Sequence, residues 1–303
     1  MTRLGRLSSY LAASAALIFS VTTASCGSNA PTSQPTTPSI PAGAEGAWYI
    51  QHLPLGAVPQ QIADVHRQLD LALGRLIEPC MAKTGFAYST RDIPATTVRF
   101  LRYGVMPEDD RSSYTGTPAA GDVATSPGAA VPAVDNQYTI ALYGAVAAPD
   151  ASPIRDSDHN VVGAAYQQGG CLGQAEAAVA PDGYADYQAT DILLQTLLHQ
   201  ETHSLWTDAR TIAAIEPWID CMASSGAPRP SSLDYYVATY EWTGNDVAQQ
   251  SSVIDEERQC KARTDVLAQV FTIDFELQSK VLESNSELFR KYAGYALHFA
   301  AQS

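Results

Sequence analysis

Cys80-Met81-Ala82-Lys83-Thr84-Gly85 is answered further along the chain by Cys221-Met222-Ala223-Ser224-Ser225-Gly226. Each hexapeptide closes a run of apolar residues at helical spacing. Each stops that run at a glycine, the residue that most readily adopts the left-handed conformation just beyond a helix end. One further cysteine follows each copy, Cys171 after the first and Cys260 after the second, near or within another helical pattern. The economical pairing is Cys80 with Cys171 and Cys221 with Cys260, although four cysteines allow three connectivities. An even count without C-x-x-C spacing favours disulfides over metal ligation in an exported chain.

Around these landmarks the helical signal dominates. Ile62, Val65, Leu69, Leu73, Leu76 and Cys80 recur every three or four residues, which places them on one face of a helix over 58–81. Shorter helices are expected over 136–143 and from Gly169-Gly170-Cys171 through Val179, with longer ones over 184–206 and 208–222. Pro217 either kinks the last of these or starts its final turns. From about Asp246 to the C-terminus, Cys260, Leu267, Val270, Phe271, Leu277, Val281, Leu288, Phe289 and Tyr292 alternate with charges as in one long, bent amphipathic helix. A strand is expected near 96–103, where β-branched and aromatic residues gather, and loops over 108–132 and 149–161. The fold class expected is mainly α, with α+β as the alternative. The chain divides into 1–25, 26–46 and a helix-rich domain over 47–303, with a subdivision into 47–183 and 184–303.

The first 25 residues read as an export signal. Arg3 and Arg6 precede an apolar run from Tyr10 to Val21, and small residues lead to Cys26. The run falls short of the roughly 20 apolar residues that span a bilayer. Thr23-Ala24-Ser25-Cys26 resembles the lipobox of bacterial lipoproteins, in which the cysteine becomes the lipidated first residue, although Thr23 stands where an aliphatic residue is usual. Cys26 is thus the expected site of acylation, and the membrane the expected partner through that lipid. Gly27 to Gly46, with Pro31, Pro35, Pro38 and Pro41 amid Ser and Thr, is a spacer of semi-extended chain.

The chain carries 18 basic and 32 acidic residues; without Arg3 and Arg6 the balance is 16 against 32, a net charge of −16. Such a surface repels nucleic acid and anionic headgroups, so nucleic acid is excluded as a partner and the membrane is met by lipid rather than by a basic face.

Trp218, Cys221-Met222 and Gly226, then Glu257-x-x-Cys260 opening a helix, resemble segments of a set of actinobacterial lipoproteins without assigned activity. Cys80-Met81 to Phe86, Asn136 and Tyr138 to Gly144, and Gly169-Gly170-Cys171 resemble elements of the N-terminal half of such proteins. The resemblance covers much of the chain beyond Cys26. It implies a lipid-anchored, disulfide-bonded protein on the outer face of a membrane and implies no chemistry.

His199-Gln200-Glu201-Thr202-His203 is the sharpest chemical constellation, because histidines four apart share a helix face and can share a metal ion. Glu201 sits roughly 200° round the helix from either, which breaks the zinc-peptidase pattern. Asp156, Asp158 and His159 form a second polar cluster, read as solvated loop. Tyr235, Tyr236, Tyr240 and Trp242 suit helix packing better than a ligand groove. Neither G-x-S-x-G, S-x-x-K nor G-x-x-x-x-G-K occurs. The function expected is a non-enzymatic binding or accessory protein of the cell envelope without a cofactor. The alternatives are a metal-dependent hydrolase using His199 and His203, and a solute-capturing subunit of a transporter.

Overall fold

The computed structural model describes residues 36–89, 102–104, 136–144, 151–166, 168–180, 183–227, 229–233 and 247–302. Among the described residues helix accounts for 72%, in nine helices with two short strands, so the mainly-α expectation holds. In chain order these are α1 (Gly46–His52), α2 (Val58–Lys83), α3 (Asn136–Tyr143), β1 (Ala151–Arg155), β2 (Val161–Tyr166), α4 (Gly170–Val179), α5 (Tyr184–Thr207), α6 (Ala209–Ser224), α7 (Val247–Thr264), α8 (Val266–Ser284) and α9 (Ser286–Gln302).

Two apolar cores organise these elements. In the first, Val65, Leu69, Leu73, Ile77 and Met81 of α2 meet Cys171, Ala175 and Val179 of α4, and Phe289, Tyr292, Tyr295 and Phe299 of α9. In the second, Ile215, Trp218, Ile219 and Met222 of α6 pack with Cys260 of α7, with Val266, Val270 and Phe271 of α8, and with Tyr49 of α1. Helix α5 runs through both, giving Tyr187 and Leu194 to the first and Leu205 to the second. Ile40 and Ala44, in the stretch read as spacer, pack against the second core.

Both disulfides form as the paired hexapeptides anticipate. Cys80 bonds Cys171 and Cys221 bonds Cys260, with Cα atoms 5.6 and 5.7 Å apart. Gly85 and Gly226 take φ of +86° and +82°, the left-handed conformation that ends each helix. Pro217 lies inside α6, which continues through it to Ser224, and Pro79 is accommodated inside α2 in the same way. Asp208 caps α6 by accepting a hydrogen bond from the backbone N–H of Arg210 at 2.8 Å.

Two expectations are revised. The C-terminal segment is helical but breaks twice, at Asp265, whose φ of +50° is left-handed, and at Asn285, so it comprises three helices instead of one bent rod. The stretch 149–161, read as loop, contains β1 and the turn of an antiparallel hairpin with β2, in the register Ala151 to Tyr166 and Ser152 to Ala165. Asp156 shapes that turn: its Oδ1 accepts from the N–H groups of Asp158 and Asn160. Pro153 and the short length hide β1 in the sequence, since proline removes a ladder donor and is tolerated only where a neighbouring strand does not need it. The hairpin packs on α5, with Gly163 against the side chain of Ile192. The strand anticipated near 96–103 lies outside the described residues apart from Arg102 and Tyr103, which form a turn with Gly104.

Candidate functional site

Two polar assemblies stand out, and they differ in whether anything is left open to a ligand. The first is a buried clasp. Asp274 of α8 accepts from Arg102 Nε and from the Tyr103 hydroxyl at 2.6 Å each, while Arg102 Nη2 reaches Glu201 Oε1 of α5 at 2.5 Å and Arg102 Nη1 reaches Thr202 Oγ1 at 3.0 Å. Gln278 extends the network, donating to Asp274 at 3.0 Å and accepting from the backbone N–H of Leu55 at 2.8 Å. Alongside, Lys261 of α7 is fully buried. It bonds Glu257 at 2.6 Å, the carbonyl of Leu233 at 3.1 Å and the carbonyl of Tyr103. Burial, reinforced by the nearby Asp274 charge, pushes the Glu201 carboxyl up to about 7, while the Arg102 guanidinium pulls the other way. These charges are met by protein groups, so the assembly ties residues 102–104 to α5, α7 and α8 and is structural.

The second assembly lines a pocket of ≈ 370 Å³ between α2 and α5. His66, Leu69 and Asp70 come from α2 at i, i+3 and i+4; Tyr184, Tyr187, Gln188, Asp191 and Ile192 come from α5 at i, i+3, i+4, i+7 and i+8. Helical periodicity thus aims one face of each helix at the same space. Its volume lies within the roughly 300–1,000 Å³ range of small-molecule sites.

Asp191 is the fixed point of this pocket. Its Oδ1 lies 2.9 Å from His66 Nε2 and accepts the Tyr292 hydroxyl at 3.0 Å, and its Oδ2 accepts from Gln195 at 2.7 Å. The hydrogen bond that His66 donates to Asp191 raises the imidazole above its ordinary value, against the opposing effect of burial. Asp70 differs: it is exposed at the mouth of the pocket and forms no hydrogen bond among the described residues, and desolvation raises its carboxyl against the opposing charge of His66. Burial, with the charges of Glu176, Asp70 and Asp191 around it, pushes the Tyr184 hydroxyl up to about 12. Behind the pocket, Tyr187 packs edge-on against Tyr295 and Phe299 at ring distances of 5.3 and 5.1 Å, so the wall is rigidly backed by α9. Ile192 is backed by Gly163 of the hairpin. A smaller hollow of ≈ 180 Å³ sits over Cys80, Lys83 and Gln174, and it lacks comparable convergent polar groups.

The sequence-derived candidates fall elsewhere. His199 and His203 are exposed on the outer face of α5, and Glu201 between them is buried on the opposite face, in the clasp. The group of three metal-ligand types found among the described residues is Cys221, Glu256 and Cys260, whose cysteines are joined to each other in a disulfide. Asp156, Asp158 and His159 build the hairpin turn, with the Asp156 carboxylate engaged by backbone donors. Cys26, Tyr235, Tyr236, Tyr240 and Trp242 lie outside the described residues. No described helix is long and apolar enough to cross a membrane.

Comparison with known protein families, with curated proteins and with solved structures finds no match for this chain. The pocket and its chemistry therefore carry the functional reading.

Proposed function

We propose that this chain is a lipid-tethered, extracytoplasmic binding protein: an export signal over 1–25, acylation at Cys26, a spacer, and a helical domain that captures a small ligand in the pocket between α2 and α5. The observation that carries the address is the complete pairing of Cys80, Cys171, Cys221 and Cys260 in two disulfides, bonds that form and persist in oxidising compartments. The lipobox-like Thr23-Ala24-Ser25-Cys26 and the likeness to actinobacterial lipoproteins agree with it. A binding role suits the pocket better than catalysis. Its imidazole is oriented by a carboxylate, but its lining holds no serine, threonine or cysteine for an imidazole to activate.

Expression in a bacterial host that acylates lipoproteins, with fatty-acid labelling and cell fractionation, tests the address. Wild-type protein is expected to take up label and sediment with membranes, whereas Cys26→Ala is expected to do neither. Label retained by the Cys26→Ala protein, or wild-type protein with all its thiols reduced in the cytoplasm, overturns the proposal.

A further inference from the structure

We infer that the pocket between α2 and α5 takes a small organic cation, a protonated alkylamine, with Asp70 as its counter-ion and the Tyr184 ring as its wall. This rests on the reading of the pocket as a binding site and adds the charge and kind of its occupant.

The charges of the lining decide the sign. Asp70 and Asp191 stand against the single imidazole of His66, and neither lysine nor arginine is among the lining residues. Glu176 adds a third negative charge close enough to act on the Tyr184 hydroxyl. The first turn of α5 would favour an anion through its exposed N–H groups, but Asp186 already occupies that turn and is itself bonded to Lys291 and the Tyr295 hydroxyl. An anion entering the pocket would face two carboxylates set against one imidazole.

The two carboxylates have different duties. Asp191 is saturated by His66, Tyr292 and Gln195, so it holds the wall and has little capacity left for a ligand. Asp70 is exposed at the mouth, accepts no hydrogen bond among the described residues and meets only the charge of His66, so its carboxylate is open to a donor from outside the chain. Tyr184 is half-buried at the same mouth, its ring 6.0 Å from that of Tyr187 and tilted 38° to it. The negative face of a tyrosine ring attracts an ammonium group within about 6 Å. Leu69 and Ile192 supply apolar surface for a short alkyl chain. Carboxylate, aromatic face and aliphatic floor together describe an alkylammonium ion.

The full-length protein with its disulfides intact is titrated by ligand-observed NMR and calorimetry with three probes of one size: n-butylammonium, butyrate and 1-butanol. The expected result is saturable binding of n-butylammonium alone, weakened by added salt. Asp70→Asn is expected to lower that affinity at least tenfold, and Tyr184→Leu several-fold, with unchanged circular dichroism in both. Binding of butyrate or butanol as tight as that of n-butylammonium overturns the cation assignment and leaves the pocket a binding site. Unaltered n-butylammonium affinity in Asp70→Asn overturns the assigned counter-ion. If none of the three probes binds, the binding-site reading falls together with the inference.

Discussion

Met81 and Met222 occupy the same place in two copies of one device: each follows a disulfide-bonded cysteine, each is wholly buried, and each offers its carbonyl to the turn that ends its helix. Thr84 donates its backbone N–H and its hydroxyl to Met81 O at 3.0 and 2.8 Å; Ser225 does the same to Met222 O at 3.1 and 2.7 Å. The glycine that follows donates to the next carbonyl at 3.1 Å in both copies. The hydroxyl at this position and the left-handed glycine cap the helix end, and the adjacent cysteine ties that end to a second helix. One copy serves each core.

The disulfides close separations of 91 and 39 residues. Chain-entropy arguments give each a stabilisation of about 4 to 5 kcal/mol, with the longer loop contributing more by less than about 1 kcal/mol. Replacing Cys80 and Cys171 together by Ala, or Cys221 and Cys260 together, is therefore expected to lower unfolding free energy in denaturant by similar amounts. A pair whose removal leaves the midpoint unchanged would show that its loop is already constrained in the unfolded chain.

The repeated device was legible because it is local: a cysteine, a buried methionine, a hydroxyl and a glycine within six residues. Helix positions were legible for the same reason, since apolar periodicity survives without knowledge of partners. What escaped depends on contacts between distant residues. Glu201 looked misplaced beside two histidines because its partners, Arg102 and Asp274, are remote in sequence and the acid faces inward. The pocket was written in the spacing of His66 and Asp70 and of Tyr184, Tyr187 and Asp191, but nothing in either helix alone indicates that the two faces meet. The breaks at Asp265 and Asn285 lack the proline or glycine that normally announces them.

Arg102 carries the buried clasp, and its loss would leave Glu201 and Asp274 facing each other without a cation. Truncating one partner of a buried, hydrogen-bonded ion pair costs about 3–5 kcal/mol, so Arg102→Ala is expected to destabilise by that amount. Gly104 should be comparably intolerant. Its φ of +66° strains any side chain, and an added Cβ would collide with the carbonyl of Leu233. Gly85 has the same left-handed backbone but open space around it, so Gly85→Ala is expected to cost only about 1 kcal/mol. Thermal melts of the three variants give the ranking directly, and equal losses for Gly104→Ala and Gly85→Ala would contradict the packing at Leu233.

Stability should fall as pH rises through neutrality. Glu201 in the folded protein titrates at about 7 against an ordinary 4.5, so between those values the folded state holds a proton that the unfolded chain releases. By linkage, that contribution is complete below about 4.5 and is lost as pH climbs through about 7. His66, raised by its bond to Asp191, acts in the same direction above its ordinary range, with less weight because its side chain is 42% exposed. Asp186 and Asp208 are held below the usual range by Lys291, Tyr295 and Arg210, so their contributions vanish only on strong acidification. The maximum is expected on the acid side of neutrality, and Glu201→Gln should flatten the decline between about pH 5 and 8. Chemical denaturation across that range checks it, and an unchanged slope in Glu201→Gln would assign the dependence elsewhere.

His199 and His203 give the contrasting case on the same helix as Glu201. Both project from α5 as exposed residues, and the buried face of that turn is already committed to Arg102. Substitutions at exposed positions remote from caps and networks usually change stability by less than about 0.5 kcal/mol. The double change of His199 and His203 to Ala is therefore expected to leave the melting temperature unaltered. Two histidines alone are also a weak site for zinc, which normally takes at least three protein ligands. Melting in the presence of chelator and of added zinc should coincide for the wild type and the double variant; a zinc-dependent rise confined to the wild type would restore the histidine pair as a metal centre.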